Sequence, residues 1–206
     1  MRIRKFRYFV GDFETTVFEG QDDTLVWASA VVELFSDDVK IFGSIDDTFE
    51  HLLNLNDNIC IYYHNLKFDG SFWLSYLMYD LKFTQAGVEQ TEGVGDIKFQ
   101  HDSEMKNNTF KYSISDKGQW YTITIKANHH IIEIRDSLKL LPFSVKRIGE
   151  SFGTKHKKLD MEYKGFRYPN CPRTEEEDKY IANDVLVIKE ALEIMQNEGH
   201  KKLTIG

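Results

Sequence analysis

FRYFVGDFETT, residues 6–16, is the stretch from which this chain is best read. Residues 6–12 carry Tyr8, Phe9 and Val10 in a row and form a buried strand that runs into Asp12. Side chains two residues apart on a strand point to the same face, so Asp12 and Glu14 look into one place. The strand therefore supplies both a piece of core and a pair of acids at its end.

Outward from it, residues 24–35 read as a second strand and Val39 to Phe42 as a short third. Ser44 to Asn56 places Phe49, Leu52, Leu53 and Leu55 on an amphipathic helix, and Asn58 to Tyr63 is another buried strand. From Asp69, the residues Phe72, Trp73, Tyr76, Leu77 and Leu81 keep a helical period. Ala86 to Asn108 is polar, rich in Gly, Asp and Asn, and reads mostly as loop. Lys111 to Lys126 alternates about Gly118 as a hairpin, and His129 to Asp136 adds a strand. Pro142 sits where a helix would begin, and residues 153–172 read as a loop. Thr174 and Glu177 make a capping box that opens a helix running to about Asn197. Strands first, then alternating helices and strands, imply an α/β fold in one domain over residues 1–206. It is a mixed central sheet flanked by helices, in the manner of ribonuclease H.

Three motifs carry chemistry: DFETT (12–16), YHNLKFDG (63–70) and YIAND (180–184). The second puts His64 and Asn65 directly after a buried strand and Asp69 at the start of a helix, where ligands bind in open α/β sheets. In the third, Tyr180 and Asp184 share a helix face at i and i+4. If Asp12, Glu14, Asp69 and Asp184 converge, their charges repel and cannot all persist unaided. Two divalent cations would cancel that charge, and such a pair is the apparatus for attacking a phosphodiester. A metal-dependent nuclease is the expectation.

Composition narrows the substrate. The net charge is −7, and setting aside the four candidate ligands leaves −3, which argues against tight independent binding to duplex DNA. A site gripping only the frayed end of one strand needs fewer phosphate contacts, and the 14% aromatic content can hold bases by stacking. No apolar run approaches the ~18 residues of a membrane span, and the first residues lack a signal-peptide pattern. Cys60 and Cys171 form no CxxC pair, and Cys60, in an apolar run, reads as a buried reduced thiol. No membrane partner is expected, and the setting is the cytoplasm, that of a host cell for a phage protein.

With DSLKLLPFSVKRI (136–148), the three motifs resemble the exonuclease domain of protein-primed family B DNA polymerases of phages and linear plasmids. These are DEDD-superfamily 3′–5′ exonucleases with Tyr in the third motif, and the similarity runs in register from about Phe9 to Thr204. The resemblance implies that Asp12, Glu14, Asp69 and Asp184 bind two Mg²⁺ or Mn²⁺ ions and that Tyr180 orients the attacking water. It implies a catalytic lysine at Lys158, with Lys155 and Lys157 close enough in sequence to compete for that place. The implied contacts to a single-stranded DNA 3′ end are Thr15, Tyr62, His64, Asn65, Phe68, Phe72, Ser137, Leu138 and Tyr163. Phe68 and Phe72 can equally be core. A terminal (priming) protein and a polymerase domain are the implied partners. Since such polymerases continue well beyond this length, the chain is either an excised proofreading domain or a small stand-alone relative. Two competing readings are a DEDD nuclease that trims RNA, and a non-catalytic docking module for a replication partner.

Overall fold

A computed structural model of the chain describes residues 5–89, 97–163, 165–200 and 202–205. In chain order the elements are β1 (Arg7–Thr15), β2 (Val26–Glu33), β3 (Lys40–Phe42), α1 (Ile45–Asn54) and β4 (Ile59–Tyr63). Next come α2 (Leu66–Ser75), a π-helical turn (Tyr76–Asp80), β5 (Thr84–Gln85), β6 (Gly87–Glu89), β7 (Ile97–Phe99), β8 (Thr109–Ile114), β9 (Trp120–Ala127) and β10 (His130–Asp136). A 3₁₀ turn (Ser137–Lys139), α3 (Val145–Ser151) and α4 (Glu175–Asn197) complete the chain.

Eight strands form one mixed sheet in the order β3-β2-β1-β4-β10-β9-β8-β5. β4 lies parallel to both β1 and β10, whereas β2 runs antiparallel to β1 and β9 antiparallel to β10. The expected mixed sheet is thus the observed one, with β1 and β4 near its middle.

Alternation along β1 divides the core. Phe9 and Phe13 pack on one face with Phe49 and Leu52 of α1 and Trp73 of α2. Val10 faces the other way, into a layer with Cys60 and with Ile181, Val185 and Ile188 of α4. Asp12 and Glu14 follow Val10 on this α4 face, as a period of two demands. Opposite them on β2 stand Ala30 and Ala28, both without exposed surface, so the neighbouring strand keeps its side chains short beside the acids. Both cysteines are free and buried. Among the described residues no helix is long and apolar enough to cross a membrane.

Residues 86–108 are mostly loop among those described, as expected, but β6 and β7 pair antiparallel within them as a small separate sheet, with residues 90–96 outside those described. One local reading needs correction. The helix expected at Pro142 begins at Val145 instead. Phe143, which would lie in its first turn, gives its carbonyl to the His64 ring at 2.8 Å, and Arg147 donates its N–H to the Ser144 hydroxyl at 3.4 Å. Ser144 is therefore the cap. The capping box at Thr174 is present with both its hydrogen bonds, and the helix it opens runs to Asn197 as expected.

Candidate functional site

Three elements bring the four acids together. β1 carries Asp12 and Glu14, the first turn of α2 carries Asp69, and the second and third turns of α4 carry Tyr180 and Asp184. α2 starts where it does because Asn65 takes the left-handed conformation, with φ of 69°, and turns the chain sharply off β4. Its first N–H groups then receive help from a distance: Leu66 donates to Asp136 Oδ1 at 3.2 Å, and the same oxygen accepts from Leu138 at 3.0 Å. Asp136, buried at 3% exposure, locks the start of α2 to the end of β10. The sequence reading gave it no role. Its signal was the Asp that heads the DSLKLLPF run.

Burial dominates the electrostatics of the acids, and for Asp12, Glu14 and Asp69 the charge of neighbouring acids adds to it. The Asp12 carboxyl lies well above its usual range because of desolvation, and the charges of Asp69, Glu14 and Asp184 push it the same way. Burial pushes Asp69 up to about 8, against the pull of hydrogen bonds from its own and the Phe13 backbone. Burial likewise raises Glu14 to about 7, with Asp184 adding to it. Asp184 is raised by burial and eased by Lys158. These are the shifts expected of carboxyl groups crowded together away from water.

Lys158 is the cation that answers them. Its ammonium bonds to Asp184 Oδ2, donates to the Tyr180 hydroxyl at 3.1 Å and lies 4.9 Å from the centre of that ring. Burial works against its charge, yet Asp184 and Tyr180 outweigh that and raise its pKa. What anchors the loop decides which of the neighbouring lysines reaches the acids. His156 bonds to Glu190 of α4 through its N–H at 3.1 Å and its ring at 2.5 Å, and Asn183 donates to the Lys157 carbonyl. The Lys157 ammonium is spent on the Gly149 carbonyl at 2.6 Å. Lys158 is left facing the acids.

A small cavity of about 150 Å³ opens between Asp12 and Asp184, with His64 and Val145 also in its wall. A second cleft of about 280 Å³ has Glu14, Thr15, Phe68 and Tyr163 in its lining. Tyr163 stands edge-on to Tyr180 at 5.7 Å and to Trp27 at 4.9 Å, and its hydroxyl eases Glu14 from nearby without an ordinary hydrogen-bond geometry.

The other expected DNA contacts divide. His64 is fixed between Ser137 Oγ at 3.0 Å and the Phe143 carbonyl, and Ser137 itself is fully buried and donates to the Tyr63 carbonyl. Phe72 packs against the core and stands edge-on to Phe68, which is 47% exposed. Leu138 and Asn65 lie on the turns that follow β10 and β4. Tyr62 lies apart from the rest: it is 5% exposed and faces Tyr8 and Arg135 across a different cavity of about 290 Å³.

Whether divalent cations suit this place can be judged from its donors. Asp69 Oδ1 and Asp184 Oδ1 are buried oxygens with no hydrogen-bond partner, a costly condition that a hard cation would relieve. Among the described residues, no three His, Cys, Asp or Glu side chains stand close enough to hold an ion as they are. Lys158 occupies Asp184 instead, so binding would require that ion pair to open. The donor chemistry fits.

Residues 53–205 match the family model of DNA polymerase type B, organellar and viral. The chain is 34% identical over 97% of its length to the DNA polymerase of Bacillus phage B103, and 34% identical over 95% to that of Bacillus phage phi29. It spans about a third of these relatives, 32% and 31% of their lengths. Among solved structures, Phi29 DNA polymerase complexed with single-stranded DNA aligns over 97% of this chain and 33% of that one, with a TM-score of 0.78 and 30% identity. The same polymerase with primer-template DNA gives 0.77. A family B DNA polymerase from the archaeon Pyrobaculum calidifontis, at 16% identity and a TM-score of 0.52, shares the fold. The ribonuclease H-like α/β architecture is common to them.

Proposed function

Since this chain belongs to the type B DNA polymerases of the organellar and viral family, we propose that it is their proofreading part, a metal-dependent 3′–5′ exonuclease acting on single-stranded DNA ends. The observation that carries the reading is the set of four carboxyl groups that β1, α2 and α4 bury within reach of one another's charge, two of them with buried, unpartnered oxygens. A docking surface has no use for such an arrangement, which raises the energy of the protein that holds it.

Asp12, Glu14, Asp69 and Asp184 would hold the ions. When bound, two Mg²⁺ or Mn²⁺ ions supply a water of lowered pKa and neutralise charge at the leaving oxygen. Tyr180, its hydroxyl set by Lys158, would hold the attacking water in line with the terminal phosphate. Lys158, released from Asp184, would bring positive charge to the transition state, where a fixed cation in a partly dry site is worth most. Thr15, Phe68 and Tyr163 line the cleft beside Glu14 and would seat the terminal nucleotide. An unpaired end enters such a cleft at less cost than a paired one, which is the basis of proofreading selectivity.

The solved complex of Phi29 DNA polymerase with single-stranded DNA supports DNA as the substrate, and the shared length supports a role alongside a polymerase. An end-labelled single strand incubated with and without Mg²⁺ tests the reading. Mononucleotides released in order from the 3′ end, only with the metal and not by Asp12→Ala, are the expected result. Release that persists without metal or in the variant refutes it.

A further inference from the structure

We propose that Phe18 and Phe166 form a second base-stacking subsite at the outer wall of the cleft, seating a nucleobase of single-stranded DNA upstream of the terminal nucleotide. This rests on the exonuclease reading. Phe18 follows the end of β1 and Phe166 belongs to the loop before α4, so the two reach this edge from distant parts of the sequence. Their rings lie 4.9 Å apart, tilted at 55°, and Tyr168 continues the row 6.1 Å beyond Phe166. All three are exposed, at 41%, 64% and 47%. Aromatic rings gathered this openly from separate segments mark a contact surface more than a core.

Continuity with the site identifies the occupant. Phe18 and Phe166 share one cleft with Glu14, Thr15 and Phe68, so a strand whose 3′ end reaches the acids has its next bases beside these rings. The Arg167 guanidinium lies 4.9 Å over the Trp27 ring in the same wall, but its charge is answered by an ion pair with the buried Glu177, so it adds little grip on a backbone. Charge elsewhere offers little grip, because the chain as a whole carries −7. Stacking is the remaining way to hold a strand without reading its sequence, since every base has a π-face. A planar base suits a narrow row of rings.

The test compares trimming of end-labelled oligothymidylates three and eight residues long, with Mg²⁺, by the wild-type chain, Phe18→Ala, Phe166→Ala and Phe166→Trp. For the octamer, the alanine variants should raise the half-saturating concentration roughly 5- to 100-fold, the worth of one base–aromatic stack. The rise with the trimer should be at least about fivefold smaller, and Phe166→Trp should restore the wild-type value. Melting temperatures guard against a folding defect, and Phe166→Leu, which keeps an apolar side chain without a π-face, should show the same loss. If wild type trims the octamer and both alanine variants match it, the subsite is overturned while the exonuclease reading stands, and the rings are then a protein-docking patch. Equal losses on trimer and octamer also overturn it, by placing the rings at the terminal nucleotide. If wild type trims neither oligomer, the exonuclease reading fails and the subsite with it.

Discussion

Raising the pH of the metal-free protein from about 6.5 to about 9 should destabilise it, and Asp69 sets the scale. Its carboxyl is 2% exposed and pushed from 3.8 to about 8 by burial. In the folded protein it keeps its proton until about pH 8, whereas in the unfolded chain it has lost it near pH 4. The folded state therefore binds more protons across this window, and stability falls as pH rises through it. At 1.36 kcal/mol per unit, the interval from pH 6.5 to 8 is worth about 2 kcal/mol, within a ceiling of on the order of 5 for the whole span. For a chain of this length that lowers the melting temperature by about 4–8 °C. Asp12 and Glu14 act in the same direction. His64 acts oppositely near pH 6.5, since burial lowers its pKa and the folded ring is neutral. Asp69→Asn separates these contributions. It should melt close to wild type at about pH 6.5 and several degrees above it at about pH 9, each measured in chelator by scanning fluorimetry. Millimolar Mg²⁺ should recover the wild type at high pH and do little for the variant, because a ligand of the folded state shifts stability by mass action. Parallel pH profiles for the two proteins would refute the argument, since the buried carboxyl would then not be holding a proton.

Asp184→Ala should abolish trimming of a labelled single strand while the fold survives, as judged by circular dichroism. Tyr180→Phe keeps its packing against Tyr163 and the Lys158 charge but loses the hydroxyl, so the trimming rate should fall roughly 10- to 1000-fold with a stability loss near 1 kcal/mol. Phe68→Ala should weaken single-strand binding by roughly 1–3 kcal/mol and cost only about 1–2 kcal/mol of folding energy, because the ring is half exposed. A core ring would instead cost ~3–5 kcal/mol, which denaturant titration would detect. Affinity for a single strand should fall shallowly with salt, with a slope of log Kd against log salt of about 2 or less, the mark of few phosphate contacts.

Much of this protein could be read without coordinates, because its decisive signals are local. A period of two sets Asp12 and Glu14 on one face of β1, and a period near four sets Tyr180 and Asp184 on one face of α4. The Thr174 capping box marks the start of α4 to the residue, since both of its hydrogen bonds close within one turn. What stayed hidden depended on partners far away in sequence. Pro142 looks like a helix start until His64, 79 positions away from Phe143, claims the Phe143 carbonyl. The pairing of β6 with β7 is too short to raise a periodic pattern. Three lysines are equivalent in a loop read alone, and only the contacts of His156 and Lys157 with Glu190 and Asn183 leave Lys158 at the acids. Tyr62 shares the motif strand with its neighbours and the α4 face with Asp12 and Glu14, yet it stands level with Val10, two residues short of Asp12, where it meets Arg135 and not the cleft. Phe18 and Phe166, 148 residues apart, carry no shared pattern at all. Chain chemistry chose which groups could act, and packing between distant segments decided which of them meet, because a side chain's neighbours across a sheet or a loop are set by the whole fold and not by its own stretch of sequence.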